Sequence, residues 1–170
     1  DPQVDALVHH RVQVEKELRI AIETDQLRLY YQPIVGWGRN VLGYEALIRW
    51  QHPTDGILAP GAFIEIAEET GLIVPIGEWV IRSACTQLVA FQNDPATRDL
   101  TIAVNLSARQ LAQPDIAEVI ADIVKTSGAP ADRLKLEITE SMLLTNIDQT
   151  IEKMASLSEL GIRFSLDDFG

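Results

Sequence analysis

The chain has 170 residues, of which 46% are hydrophobic and 23% charged, a composition typical of a folded globular domain with its own core. Its 25 acidic residues outnumber 14 basic ones and give a net charge of −11, which disfavours binding to DNA. The single cysteine, Cys85, excludes an internal disulfide and a thiolate-rich metal site. No apolar run approaches the roughly 20 residues that span a bilayer. We therefore expect no membrane segment in this part and a cytoplasmic domain, whether or not it belongs to a membrane-anchored protein.

Residues 1–24 are predicted to form a lead-in or linker helix. Between Val12 and Thr24 apolar residues recur at helical spacing, with charged residues between them. The helix precedes the first strand signal, which is typical of a connection from an upstream domain. A helix that packs across one end of the fold explains the pattern equally well.

Residues 25–170 alternate between strand and helix patterns. Strands are predicted at 27–35 and 41–50, and the short turn between them favours an antiparallel hairpin. A helix begins near Pro60 and ends before Gly71, and another begins near Ile76. Later strands are predicted at 100–107, 134–141 and 163–169, and helices at 115–125 and 147–160.

The alternation predicts an α/β fold, either an open doubly wound sheet or a (β/α) barrel. No glycine-rich phosphate loop follows a strand, which disfavours the open dinucleotide-binding sheet. A barrel needs about 250 residues. This chain supplies about five strands, so a barrel here would lack its last third, and the residues alone leave both architectures open.

Oxygen-bearing side chains recur on one face of the predicted strands. The alternation of side chains sends four of them inward at a common level, namely Glu45, Asn105, Glu137 and Asp167. Asp168 has the opposite parity but stands at a strand end, where the backbone can turn it back. Such ligands, with no counter-cation nearby, would repel one another without a bound divalent cation. Oxygen-only ligation favours Mg²⁺ or Mn²⁺ over zinc.

Each of these residues also has an ordinary structural explanation. Asp167 and Asp168 could form a turn, and Asn105 could cap a short helix at 108–111. Arg49 shares the face of Glu45 and could hold a phosphate bidentately or simply neutralise that carboxylate. Four strands that offer an inward oxygen together are harder to explain in this way, and they favour the metal site.

Two further polar residues are weaker candidates. Gln32 stands beside Pro33 in the first strand, where an ordinary barrel-end amide is equally compatible. Glu140 lies just past its strand and is expected to face away from the metals, which favours a role in holding a loop.

Six ordered sequence blocks carry a resemblance to the EAL domain family. They are YQPI at 31–34, GYEALIRW at 43–50, AEETGLI at 67–73, VNLSARQ at 104–110, EITES at 137–141 and DDFG at 167–170. The resemblance covers residues 25–170, which we interpret as an EAL domain whose last strands are missing. Six blocks that occur in the same order as in the family make the match highly specific.

The resemblance implies an α/β fold, a TIM-like (β/α) barrel with its first strand antiparallel, truncated here after about five strands. It also implies a cyclic-di-GMP phosphodiesterase that yields linear pGpG by two-metal-assisted attack of water. It implies that two Mg²⁺ or Mn²⁺ ions are bound by Glu45, Asn105, Glu137, Asp167 and Asp168. Of these, Glu45, Asp167 and Asp168 would be catalytic, with Asp168 bridging both ions. Gln32, Leu47 and Arg49 would contact the substrate, and Glu140 would steady the loop that follows the Asp-Phe-Gly segment.

The family's domain also uses a lysine and a glutamate on later strands, which have no counterpart in these 170 residues. We therefore expect the chain alone to be inactive. The alternatives are a catalytically inactive EAL domain that acts as a cyclic-di-GMP receptor or protein-interaction module, and, more remotely, an unrelated Mg²⁺-dependent barrel enzyme. Intact ligand motifs favour the phosphodiesterase. An upstream sensor or GGDEF-type domain is the expected partner in the same protein, and a homodimer is compatible with the sequence.

Overall fold

The computed structural model describes residues 1–167 of the chain. In chain order its helices and strands are α1 (Pro2–Glu23), β1 (Leu27–Val35), β2 (Val41–His52), β3 (Gly56–Leu58), α2 (Ile64–Thr70), α3 (Ile73–Phe91), β4 (Thr101–Asn105), α4 (Ala108–Leu111), α5 (Ile116–Ser127), β5 (Leu134–Thr139), α6 (Glu140–Leu144), α7 (Ile147–Glu159) and β6 (Arg163–Asp167). Short 3₁₀ turns lie at Trp37–Arg39, Pro60–Ala62 and Ala131–Arg133.

The six strands form one sheet in the order β1-β2-β4-β5-β6, with β3 paired to β2. The β1–β2 hairpin is antiparallel, as predicted, and β2, β4, β5 and β6 are parallel to one another. Parallel neighbours need crossover connections, and α3, α5 and α7 occupy these crossovers. The predicted α/β class and the antiparallel first strand are confirmed.

One face of the sheet is covered by helices and forms the core. The aliphatic side chains of β4 and β5 alternate onto this face, where Ile102 and Leu136 are fully buried. At the other end of the core, the Trp50 ring packs edge-to-face on Phe63 with centroids 5.6 Å apart. The largest fully buried side chains are Trp50, Phe63, Leu18, Leu27, Ile76, Ile81, Leu88, Ile102, Ile120, Leu134, Leu136 and Ile138.

Helix α1 is buried only in its second half. Val14, Leu18 and Ala21 belong to the core, whereas residues 1–13 are exposed. The backbone N–H groups of Thr54 and Asp55 donate to Nδ1 of His52, so Nε2–H donates to Glu17 of α1, with 2.6 Å between the two atoms.

An ion pair between Arg11 and Glu69 adds a contact between α1 and α2. The boundary between a lead-in segment at 1–24 and a domain at 25–170 stays a prediction.

Several element boundaries differ from the predicted ones, for local reasons. Helix α1 begins ten residues before Val12, because Asp1 caps it and Pro2 suits its first turn. Helix α3 begins at Ile73, because Pro75 is tolerated in a first turn. Gly71 ends α2 in the left-handed region, as expected. Strand β4 is shorter than predicted.

Two short elements were not predicted. Strand β3 has three residues and lies below the length at which alternation is recognisable. Helix α6 replaces the predicted end of β5, because Thr139 is its N-cap.

Within residues 1–167, no single helix is both long and apolar enough to cross a membrane. In the described part of the chain, the pair α2 and α3 passes that test when taken together, across a bend of 120°.

Candidate metal and substrate site

The predicted metal ligands lie on four neighbouring strands, Glu45 on β2, Asn105 on β4, Glu137 on β5 and Asp167 on β6. Across the β2–β4 pair, Glu45 lies opposite Ala103, which precedes Asn105 by two residues. Across the β4–β5 pair, Asn105 lies directly opposite Glu137. Across the β5–β6 pair, Asp167 lies opposite Thr139, two residues after Glu137. Because the side-chain period of a strand is two, all four share the face opposite the helices.

The register refines the expectation of a common level, because the four residues do not lie in one straight row across the sheet. They follow a diagonal that climbs two residues between β2 and β4 and two more between β5 and β6. An eight-stranded barrel with a shear of eight shifts the register by about one residue per strand. A climb of four residues over three strand-to-strand steps is therefore close to what keeps side chains level along the axis of such a barrel.

The carboxylates of the site interact electrostatically. Burial, followed by the charges of Glu45 and Asp167, raises the pKa of Glu137, and a hydrogen bond with Glu45 adds to the effect. Lys135 precedes Glu137 by two residues on the same face. Its positive charge acts against these effects and lowers the pKa of Glu137. The expectation of no cation nearby is thus wrong, although the pKa of Glu137 stays raised, with burial as the largest cause. The equal parity of Lys135 and Glu137 was the sequence signal for this neighbour.

This donor set fits a hard divalent cation. Three carboxylates and one amide supply only oxygen ligands, which Mg²⁺ and Mn²⁺ prefer. Within residues 1–167, no three His, Cys, Asp or Glu side chains are already close enough to hold a metal. The candidate ligand set also includes the amide of Asn105, a residue type outside those four. Asp168, the fifth candidate, lies outside the described residues.

Asn105 is exposed at the end of β4, and Leu106 behind it is buried. It does not cap α4, the structural alternative raised by the sequence. Ser107 does so, with its Oγ accepting from the Gln110 N–H at 3.1 Å while Gln110 Oε1 accepts from the Ser107 N–H at 3.0 Å. The Asn105 amide is therefore not used as a helix cap. Sequence reasoning missed Gln110, although Ser-x-x-Gln is a recognisable capping pattern.

The predicted substrate contacts lie on the β1–β2 part of the same face. Gln32 is directly opposite Glu45, and Tyr30 is opposite Leu47. The Arg49 guanidinium lies 5.4 Å from the centre of the Tyr30 ring, a cation–π distance. Arg49 Nη1 also donates to the Ile48 carbonyl at 2.8 Å. Among residues 1–167 no ion pair joins Arg49 to Glu45, which disfavours simple neutralisation.

A cavity of about 380 Å³ opens beside these residues. Leu47, Asn105, Glu137 and Asp167 line it, whereas Gln32, Glu45 and Arg49 are outside its lining. Its other walls include residues of α2, α3, α4 and α6. The structure thus brings together three of the four described metal-ligand candidates around one space, with Glu45 beside Glu137.

Glu140 is the first residue of α6 and is exposed. The Asp-Phe-Gly loop that the resemblance assigns to it lies beyond Asp167, so this role stays a prediction.

Comparisons with known proteins agree with this architecture. A family model described as the EAL domain matches residues 15–170. The chain is 42% identical to cyclic di-GMP phosphodiesterase NbdA of Pseudomonas aeruginosa over 94% of its length and 20% of the length of NbdA. It is 38% identical to the bifunctional diguanylate cyclase/cyclic di-GMP phosphodiesterase MucR of the same organism, over 100% of the chain and 25% of MucR. The chain therefore spans only a fifth to a quarter of these relatives.

A solved structure described as the PaMucR phosphodiesterase in complex with c-di-GMP superposes with a TM-score of 0.87 at 40% identity. The superposition covers 93% of this chain and 64% of the solved one. The chain belongs to the EAL domain family, and the TIM-like (β/α) barrel predicted from the sequence is confirmed for the part that the chain supplies.

Proposed function

We propose that this chain supplies the first strands of a cyclic-di-GMP phosphodiesterase in a bacterial signalling protein, which hydrolyses the cyclic dinucleotide to linear pGpG. The observation that carries the proposal is the diagonal of oxygen donors on the inner face of β2, β4, β5 and β6. The names of NbdA and MucR, and the c-di-GMP complex of PaMucR, support the substrate.

In this proposal Glu45, Asn105, Glu137 and Asp167 hold the metal ions through their oxygens, with Asp168 as a further ligand. When bound, two divalent cations neutralise phosphate oxygens and lower the pKa of a water that attacks phosphorus. The carboxylates bring this chemistry to one side of the sheet. Positive charge held among them also explains how a protein with a net charge of −11 accepts a dianionic substrate.

The β1–β2 hairpin would orient the substrate. A guanidinium has five N–H donors, so Arg49 can bind a phosphate while Nη1 stays on the Ile48 carbonyl. The Tyr30 ring beneath it limits the rotamers of the Arg49 side chain and reduces the entropy lost on binding. Gln32 and Leu47 lie beside it on the same face, one as an amide donor and acceptor and the other as an apolar surface.

The wider setting of the chain is also a proposal. The bifunctional name of MucR supports an upstream cyclase-type or sensor domain. We propose that the domain lies in the cytoplasm. Self-association into a homodimer is compatible with the sequence. Turnover would need ligands from strands beyond Asp167, so the 170-residue chain by itself is proposed to be inactive.

A hydrolysis assay on the full natural polypeptide that contains these residues tests the proposal. Cyclic-di-GMP is incubated with and without Mg²⁺, and linear pGpG is quantified by chromatography. We expect Mg²⁺-dependent product, and a loss of more than about 100-fold in Glu45→Ala, because a direct ligand should matter at least as much as the residues that orient ligands. Glu118→Ala removes an exposed glutamate on α5 and serves as the matched control.

Two results would contradict the proposal in different ways. Tight binding of cyclic-di-GMP without Mg²⁺-dependent turnover would show a receptor. Activity unchanged in Glu45→Ala would show that the metal assignment is wrong.

A further inference from the structure

Helix α4, which directly follows β4, is held by residues of α2 and α7. Arg109 Nη1 donates to the carbonyl oxygens of Glu68 and Glu69 at the end of α2, at 2.6 and 3.1 Å. On the other side, Lys153 Nζ of α7 donates to the Leu111 carbonyl at 2.6 Å. A helix of four residues cannot sustain itself by its own hydrogen bonds. Its position therefore comes from these outside contacts.

Gln110 ties this braced helix back to the end of β4. Gln110 is only 3% exposed, and its Oε1 accepts the backbone N–H of Ser107 while Ser107 Oγ accepts the N–H of Gln110. The two residues form a complete capping box. Because Ser107 follows Asn105 by two residues, this box sets the path of the chain as it leaves the candidate ligand.

Gly77, in the second turn of α3, provides the seat for Gln110. A Cβ at Gly77 would overlap the amide nitrogen and carbon of Gln110 and stand 3.0 Å from its Oε1. Glycine within a helix is destabilising relative to alanine. The close approach of the Gln110 amide gives this glycine a structural reason and connects α3 to the end of β4.

We propose that Gln110, seated on Gly77, is a positioning residue that holds the amide of Asn105 beside Glu137 for metal binding. The Leu106 N–H donates to the Glu137 carbonyl at 3.0 Å, so the segment after Asn105 is fixed to β5 as well as to Gln110. The inference rests on the proposed function, because it needs Asn105 to be a metal ligand. Loss of residues that orient metal ligands typically weakens metal affinity 10- to 100-fold.

Calorimetric titration of the metal-stripped protein with Mn²⁺ tests this role without relying on activity. We expect Gln110→Ala and Gly77→Ala each to weaken Mn²⁺ binding by about tenfold or more. The double variant should lose no more than the more affected single variant, because both changes act through one contact. Gln110→Glu retains an oxygen acceptor for the Ser107 N–H and should restore most of the affinity. Gln113→Ala removes a side-chain amide of the same kind at a position just after α4, and it is the matched control.

The outcomes separate this inference from the proposed function. Unchanged Mn²⁺ affinity in Gln110→Ala, with only a lower melting temperature, would overturn the positioning role. Additive losses in the double variant would overturn the part given to Gly77. Asn105→Ala with unchanged affinity would show that the metal site itself is wrongly assigned, whereas loss in Asn105→Ala alone would reject only the role of Gln110.

Discussion

Leu18 and Leu7 lie on the same helix, α1, in opposite environments. Leu18 has no exposed surface, whereas Leu7 is 64% exposed. Replacing Leu18 by alanine removes three carbon atoms worth about 0.8 kcal/mol each, and the remaining cavity raises the cost to about 3–5 kcal/mol. The same substitution at Leu7 removes surface that is already mostly in water, so we expect less than about 1 kcal/mol.

Urea unfolding followed by circular dichroism measures both free energies under the same conditions. At about 2–4 °C per kcal/mol for a chain of this size, Leu18→Ala should also lower the melting temperature by about 6–12 °C for a loss of 3 kcal/mol. Equal effects at the two positions, or a loss below about 1 kcal/mol at Leu18, would refute the conclusion that the second half of α1 belongs to the core. Because Leu18 lies within residues 1–24, the same measurement also tests the predicted boundary between a lead-in segment and the domain at 25–170.

Three further changes test local features of the structure. In the metal-free protein, Glu137→Gln should raise the urea midpoint, because burial and nearby carboxylates disfavour the charged form, and it should weaken Mn²⁺ binding; a lower midpoint would contradict this. Hydrogen bonds from Gln13 and then His52 lower the pKa of Glu17, so their stabilisation is present above about pH 4.3 and lost on further acidification. Glu17→Gln should therefore be less stable than the wild type at pH 7, with a gap that narrows below pH 4.3 in urea titrations; a constant gap would contradict this. Gly71→Ala should lose about 1–2 kcal/mol, because Gly71 has a φ of +84°, and a change within about 0.5 kcal/mol would argue against this strain.

Strand periodicity allowed much of the sheet to be predicted. The bounds of β1 were predicted correctly, because a strand followed by a glycine turn ends where its alternation stops. Parity also placed Glu45, Asn105, Glu137 and Asp167 on one face, since a period of two leaves a single choice once the aliphatic face is known. The diagonal of the four was not predictable from parity, because register is set by pairing between strands.

Contacts between distant elements account for what the sequence did not show. Gly77 is an isolated glycine within a helical pattern, and only the fold reveals the amide of Gln110 packed against it. The parity of Lys135 puts it on the face of Glu137, but its effect on the pKa of Glu137 depends on depth and distance, which the sequence does not give. His52 lies beyond the predicted end of the second strand at residue 50, whereas pairing with β3 extends β2 to include it, and its ring contacts Glu17.

A crystal of the full natural polypeptide grown with cyclic-di-GMP and Mn²⁺, and measured at the manganese absorption edge, tests the central claim most directly. The account predicts anomalous peaks within coordination distance of Glu45, Asn105, Glu137 and Asp167, beside a phosphate of the dinucleotide. Cyclic-di-GMP bound at this face without anomalous density at these four side chains would contradict it.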